Sequence, residues 1–421
     1  MKKSNTLLAL TSLALLASCG GGGGASSTAE SITPEDVDVL VWCAEAATDL
    51  TKSQVETFIN NFKTEKGWDK EITFTVQPVG EGDAASKMVT DVESGADIYF
   101  FAQDQLSRLV TAGALSELRG DYLQAVKDGN SSSLVEAMQV GGKSYCFPAT
   151  ADNGYYLYYD GSKLTSDDVK DWAKIVEKAE AGSYEVDFNY SSAWYNFGFF
   201  YGAGADSEWS TDTEGKFVGL NDNYNSDKGL VAARAMANTI TSGSIVDAAS
   251  VGESGANSIA IVSGTWDYNA AVSKFGDNLK CAELPSFTVD GKTYHTGSFS
   301  GNKLVGVKPQ TTRAKAYVTM EIANYLTSEK GQLERFKALQ WGPSNTKAAS
   351  SDTVLAAPQL AALAAQNQYA KPQGQFPGDW WTLAGAIGTG IQALGKNASD
   401  NELKAILATY EASAKALVVT E

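Results

Sequence analysis

From Val37 onward the chain alternates short β-branched runs with helical stretches, and this alternation restricts the fold more than any other feature. "VDVLVWC" (37–43), "EITFTVQPV" (71–79) and "ADIYFFA" (96–102) read as buried strands. "SQVETFINNFKTEKG" (53–67), "AASKMVTDVESG" and "QLSRLVTAGAL" (105–115) carry helical spacing between and after them. Such a sequence of elements predicts an α/β unit around a mostly parallel sheet. The pattern changes at "YCFPATADNGYYLYYD" (145–160), where two strand-like runs flank a polar joint. Helices are expected at 166–181, 190–204 and 226–242, then the strand "SIAIVSG" (258–264) with its helix. "LKCAELPSFTVDGKTYHTG" reads as strand, turn, strand. "NKLVGVKP" (302–309) is a further buried strand, with helices after it, and 352–421 is Ala-rich and helical.

The first residues are of another kind. Lys2 and Lys3 precede an apolar run, Thr6 to Ala17, that is too short to span a bilayer as a permanent anchor. Leu16-Ala17-Ser18-Cys19 resembles a bacterial lipobox, in which the chain is cut before the cysteine and the thiol carries lipid. Residues 1–18 are then a lipoprotein signal peptide and Cys19 is the lipidated first residue. Residues 19–35, with five consecutive glycines, form a flexible tether. The alternative is an ordinary secretory signal with an incidental cysteine. On the lipobox reading the protein is exported and held at the cell membrane through lipid alone.

Composition narrows the function. A length of 421 residues suggests two or three domains, and 43% hydrophobic residues suffice for substantial cores. The net charge of −17, without a compensating basic cluster, argues against nucleic acid and anionic lipid as partners. Beyond Cys19 only Cys43, Cys146 and Cys281 remain, too far apart for a close-spaced zinc motif. One disulfide or three buried thiols would satisfy them. His295 is the only histidine, so no multi-histidine metal site can form. It follows a hairpin turn and reads as structural. Neither a metal nor a cofactor is expected.

The order of segments resembles the extracellular solute-binding proteins of ABC importers, and among them the carbohydrate binders similar to maltose-binding protein. Four stretches carry the resemblance: "ADIYFFAQDQLSRLVTAGALSEL" (96–118), "YCFPATADNGYYLYYDGSKL" (145–164), "SIAIVSGTWDYNAAV" (258–272) and "GNKLVGVKPQTTRAKAYVTMEIANYLTSEKGQLER" (301–335). The resemblance implies an α/β, two-lobe, periplasmic-binding-protein-like fold, with a ligand cleft between the lobes and several interlobe crossings. The N-terminal lobe would comprise 36–150 and 301–345, and the C-terminal lobe 151–300 and 346–421. Crossings fall near Thr150–Gly154, Thr296–Gly301 and Pro343–Ser350, all polar breaks between apolar strands.

A sugar offers hydroxyls, which need acids and amides, and C–H faces, which lie on flat aromatic rings. Phe101, Gln103 and Asp104 follow a strand, where ligands gather in α/β folds. By resemblance Asp104 matches a sugar-binding aspartate, and Phe101 stands where tryptophan is frequent; Asp104 could equally cap the next helix. Asp152, flanked by Asn153 and Tyr155, matches a ligand-contacting carboxylate or serves as a turn residue. Trp194 and Tyr195 match a stacking pair, with Ser192 where the family has an acid, and Phe197, Phe199 and Phe200 read as packing. Trp266 corresponds to the family's most characteristic stacking tryptophan, and Asp267 beside it binds ligand or complements a helix N-terminus. Trp380 is expected to stack on sugar and Trp381 to pack, because neighbours on a helix point about 100° apart. Glu45, Glu81 and Asp83 lie in loops facing the same cleft.

No Lys or Arg lies within 101–105, 152–156, 192–197, 265–269 or 379–382. That favours a neutral saccharide, with a polyamine as the alternative ligand. An exported glycoside hydrolase, with Asp104 and Asp152 as its acid pair, is the competing class. The chain shows no G-x-S-x-G elbow and no phosphate loop. The reading is therefore a receptor, not an enzyme: a monomer that captures a saccharide by lobe closure and delivers it to a separate membrane permease.

Overall fold

The computed structural model describes residues 32–212 and 216–419. The expected signal peptide, Cys19 and the expected tether up to residue 31 lie outside the described residues.

Two five-stranded sheets organise the molecule. In the first, the strand order is Ile72–Pro78, Val37–Cys43, Ile98–Ala102, Lys303–Val307, Cys146–Thr150. The first three strands run parallel, while Lys303–Val307 is antiparallel to both of its neighbours. Four of the five strands thus run the same way, as the strand–helix alternation predicts, and Lys303–Val307 alone is reversed. The reason is topological: Lys303–Val307 enters from the other lobe instead of through a local strand–helix crossover. The helix Thr48–Lys66 covers one face. Its Val55, Phe58, Ile59 and Phe62 fall at helical spacing and are buried, each contributing about 1.5–3 kcal/mol. Gly67, at φ +63°, ends the helix in the left-handed conformation that a Cβ disfavours.

The second sheet has the order Ile245–Val246, Glu185–Asp187, Ser258–Ser263, Tyr156–Asp160, Leu279–Ala282. The helices expected at 166–181, 190–204 and 226–242 are Trp172–Gly182, Ala193–Gly202 and Asp227–Ile240. The first and third begin where side chains cap them: Asp171 accepts from the Ala173 amide and Ser226 from the Gly229 amide. Helix Pro358–Gln366 packs Ala362 and Leu363 against Tyr156, Tyr158 and Ile261.

Each sheet sits in its own core, and neither core is continuous in sequence. The first joins residues from 37 to 149 with Leu304 to Leu326 and Trp341. The second joins Tyr155 to Phe299 with Phe376 to Ala414. The connecting segments lie side by side. The Ala151 amide donates to the Gly342 carbonyl (3.0 Å), the Asn153 amide to that of Gly301 (3.2 Å), and Ser298–Ser300 pairs in parallel with Ala370–Pro372.

The remaining residues singled out by sequence have structural places. His295 ends the hairpin Ser286–Val289/Lys292–His295, stacks on Tyr369 at 3.5 Å, and has Nδ1 2.9 Å from the Thr296 carbonyl. Cys43, Cys146 and Cys281 are free thiols. Burial pushes Cys146 and Cys281 up to about 12, so both stay protonated and unreactive. No helix among the described residues is long and apolar enough to cross a membrane.

Candidate ligand-binding cleft

Between the two cores opens a cleft of about 550 Å³. The first lobe brings chemistry to it at strand ends. Strand Ile98–Ala102 stops at the cleft and the chain turns through Gln103–Gln105, setting Asp104 into the wall. Asp104 is 6% exposed; its Oδ2 accepts from the Gln105 amide, while its Oδ1 has no partner within the protein. Burial out of water raises its carboxyl to about 6. Glu81 opens helix Glu81–Thr90 and lies 3.4 Å from the Lys303 ammonium. Lys303 is buried, 4.2 Å from the Trp341 ring centre and 5.6 Å from that of Trp266.

The second lobe supplies rings. After strand Ser258–Ser263, Gly264 leads into the turn carrying Trp266. The Trp266 ring folds back so closely that a Cβ on residue 264 would lie 2.2 Å from it, so only glycine fits there. Tyr158 fixes the turn by donating its hydroxyl to the Gly264 carbonyl at 2.8 Å. At the start of helix Ala193–Gly202, Trp194 stacks on Phe299 (5.2 Å, 25°). Tyr195 beside it lines the cleft, and Trp381 stands 6.2 Å from Trp194. Asn153 and Gln373 complete the lining at the crossing segments, joined by a 3.3 Å amide–amide hydrogen bond. The cleft therefore offers flat apolar faces, amides and two acids, Glu81 and Asp104, each with one enclosed oxygen that makes no hydrogen bond within the protein.

Residues 57–362 match the bacterial extracellular solute-binding protein family. This chain belongs to that family. Among relatives, the galactooligosaccharide-binding protein of Bacillus subtilis (strain 168) is 22% identical over 393 residues, spanning 88% of this chain and 87% of the relative. A solved structure with acarbose superposes at a TM-score of 0.77 with 25% identity, covering 92% of this chain and all of that one. The maltodextrin-binding protein MalE1 of L. casei BL23, without ligand, reaches 0.73 at 22% identity over the same shares. The two-lobe fold of maltose-binding protein is thus the fold of this solute-binding protein.

Of the residues proposed from sequence, Glu81, Asp104, Asn153, Trp194, Tyr195, Trp266 and Trp381 line its cleft. The choice between the paired tryptophans is corrected. Trp380 is fully buried, stacks on Phe376 at 4.2 Å and donates its indole N–H to the Tyr410 hydroxyl at 2.8 Å. The helical offset of about 100° turns Trp380 toward helix Asp400–Lys415 and Trp381 toward the cleft. Phe101 is fully buried in the first core against Tyr99, because strand Ile98–Ala102 is covered on both faces. Tyr155 is fully buried beneath Trp194 and Tyr195 and props both rings.

Three polar candidates brace the backbone outside the cleft lining. Asp152 accepts from the Thr265 hydroxyl and the Gly342 amide, tying two crossing segments to the Trp266 turn. Asp267 accepts from the Val251 amide (3.0 Å) and the Ser263 hydroxyl (2.7 Å). Gln103 donates to the Ala137 carbonyl and accepts from Asn302. Glu45 and Asp83 are exposed and lie outside the lining.

Lys303, Trp341, Gln105 and Gln373 line the cleft but were not singled out from sequence. "LQWGPS" places Trp341 directly before a Gly-Pro break, a signal that could have drawn attention to it. Lys303 carries no such mark, since a lysine at the edge of an apolar strand reads as a solvated flank.

Proposed function

We propose that this solute-binding protein is a lipid-anchored receptor that captures a neutral sugar or oligosaccharide between its lobes and delivers it to the membrane permease of an ABC importer. The observation that carries the reading is the pairing of a ring wall (Trp194, Trp266, Trp381) with a buried acid, Asp104, whose second oxygen is unpartnered. Stacking holds the C–H faces of a pyranose and the free oxygen accepts a hydroxyl. Contact with both walls favours the closed state by the difference in affinity for the two states. Lipid at Cys19 keeps the receptor near the permease outside the cytoplasm, and the tether lets it turn as a monomer.

Lys303, paired with Glu81, leaves Asp104 as the one lining acid without a basic partner, fewer than the several carboxylates a polyamine needs. The acid pair expected for a hydrolase does not form: Asp152 gives one oxygen to Thr265 and Gly342 and does not line the cleft beside Asp104. Calorimetry and thermal unfolding against neutral saccharides, polyamines and amino acids test the proposal. Saccharide should bind and raise the melting temperature with no cleavage product. Trp266→Ala should weaken that binding by at least about tenfold, or 1.4 kcal/mol. Binding of polyamines alone, or appearance of a shortened saccharide, would overturn it.

A further inference from the structure

We infer that a second cavity, sharing the strap 371–376 with the cleft, is an additional saccharide subsite that takes the distal units of long neutral oligosaccharides. The cavity measures about 550 Å³ and is lined by Trp209, Leu220 and Phe376 together with Glu208, Asn221 and Lys371. The strap contributes to both spaces: Gln373 lines the cleft, whereas Gly374, Gln375 and Phe376 line the second cavity. Packed rings link the two spaces, since Phe376, buried in the second core, lies 5.2 Å from Trp381.

The rings are held in place before any ligand arrives. Trp209 sits on strand Ser207–Thr211, with the edge of Phe217 against it at 5.9 Å and 86°. Phe376 is stacked on Trp380. The Trp209 indole N–H is itself enclosed and without an acceptor in the protein, so it is the half-buried ring of Trp209, not its N–H, that the cavity offers to a ligand. The one lysine of the lining, Lys371, is held between two carboxylates, so the cavity wall is left with a net negative charge. The Lys371 ammonium lies 2.7 Å from both Asp206 oxygens and 3.4 Å from Glu208, and the Asn221 amide donates to Glu208. No cation is left to select an anionic ligand, while carboxylate and amide edges beside apolar rings suit hydroxyls and C–H faces.

This inference rests on the cleft being a saccharide site, and the test separates the two. Linear α-glucan and galactooligosaccharide series, from disaccharide to heptasaccharide, are titrated into the full chain and into its Trp209→Ala and Trp266→Ala variants. Trp266→Ala should weaken every length. Trp209→Ala should leave the shortest binding saccharide unchanged and weaken the longest by about fivefold. In the wild-type chain, the Trp209 indole N–H resonance, assigned by its loss in Trp209→Phe, should shift with the long saccharide and stay put with the short one. This readout does not depend on the alanine variant folding. If the long saccharide binds in a Trp266-dependent way but the Trp209 signal is unmoved, the second subsite is refuted and the cleft stands. If no saccharide of any length binds, both readings fall.

Discussion

The two walls of the cleft are built from different chemistry. The first lobe presents Glu81, Asp104, Gln105 and Lys303, with Trp341 beneath the lysine, and the second presents Trp194, Tyr195, Trp266 and Trp381. Ring faces lose little when water leaves and are ready-made platforms. Polar groups must exchange water for ligand with little net gain unless their geometry is right. On the proposed reading, the bulk of affinity would come from the second lobe and discrimination among hydroxyl patterns from the first.

The sharpest way to break that comparison uses the adjacent tryptophans of the second lobe. Trp380→Ala removes a fully buried ring and should cost about 3–5 kcal/mol of folding stability, read by denaturant unfolding. Trp381→Ala should instead cost about five- to tenfold in saccharide affinity while leaving most of the stability intact. Equal losses of stability in the two variants would remove Trp381 from the ring wall.

Asp104 tests the other wall. Burial lifts its carboxyl to about 6, above the unfolded value of 3.8, so its ionised form burdens the fold at higher pH. That burden is relieved as pH falls through about 6, and Asp104→Asn should therefore be slightly more stable than wild type near neutrality. Ligand responds in the opposite sense. A hydroxyl donating to Oδ1 favours the charged form, so affinity should fall as pH drops below about 6. Asp104→Asn should bind about tenfold more weakly at pH 8 and lose that pH dependence. Calorimetry across this range decides it, and an unchanged pH profile in the variant would exclude Asp104 as the acceptor.

The smallest effect is expected from acids of the same lobe that face water. Glu45→Gln and Asp83→Asn should each change affinity by less than about twofold, because exposed single charges contribute little. A larger loss in a saccharide titration would mean that the ionic wall extends beyond the cleft lining.

How far these walls could be read in advance depended on what each residue follows. Trp266 and Asp104 come directly after buried strands, and the turns that end those strands deliver them to the cleft. Trp194 and Tyr195 open a helix too rich in aromatics for all of its rings to be core. The helical offset separated Trp380 from Trp381 without saying which faced inward. That was decided by Tyr410, thirty residues downstream, accepting from the Trp380 indole. Phe101, Asp152 and Asp267 show the opposite limit. Their neighbours in sequence suit a binding loop, but long-range partners such as Gly342 and Val251 draw the two acids into the scaffold. Lys303 was hidden because its partners, Glu81 and Trp341, meet it only in three dimensions. In the first sheet, the parallel half follows from local strand–helix alternation, whereas the antiparallel half depends on a strand supplied from far along the chain.

That late strand also sets an order of assembly. Lys303–Val307 lies between Ile98–Ala102 and Cys146–Thr150, in the interior of the sheet rather than at its edge. Until residue 307 is available, the earlier strands cannot close around a common centre, and the first lobe exists only as fragments with open edges. Pairing at such sequence separation carries a high loop-closure cost and slows folding. The centre of the first lobe is thus completed by one of the last strands the chain supplies, which ties the lobe's integrity to residues far from its own beginning.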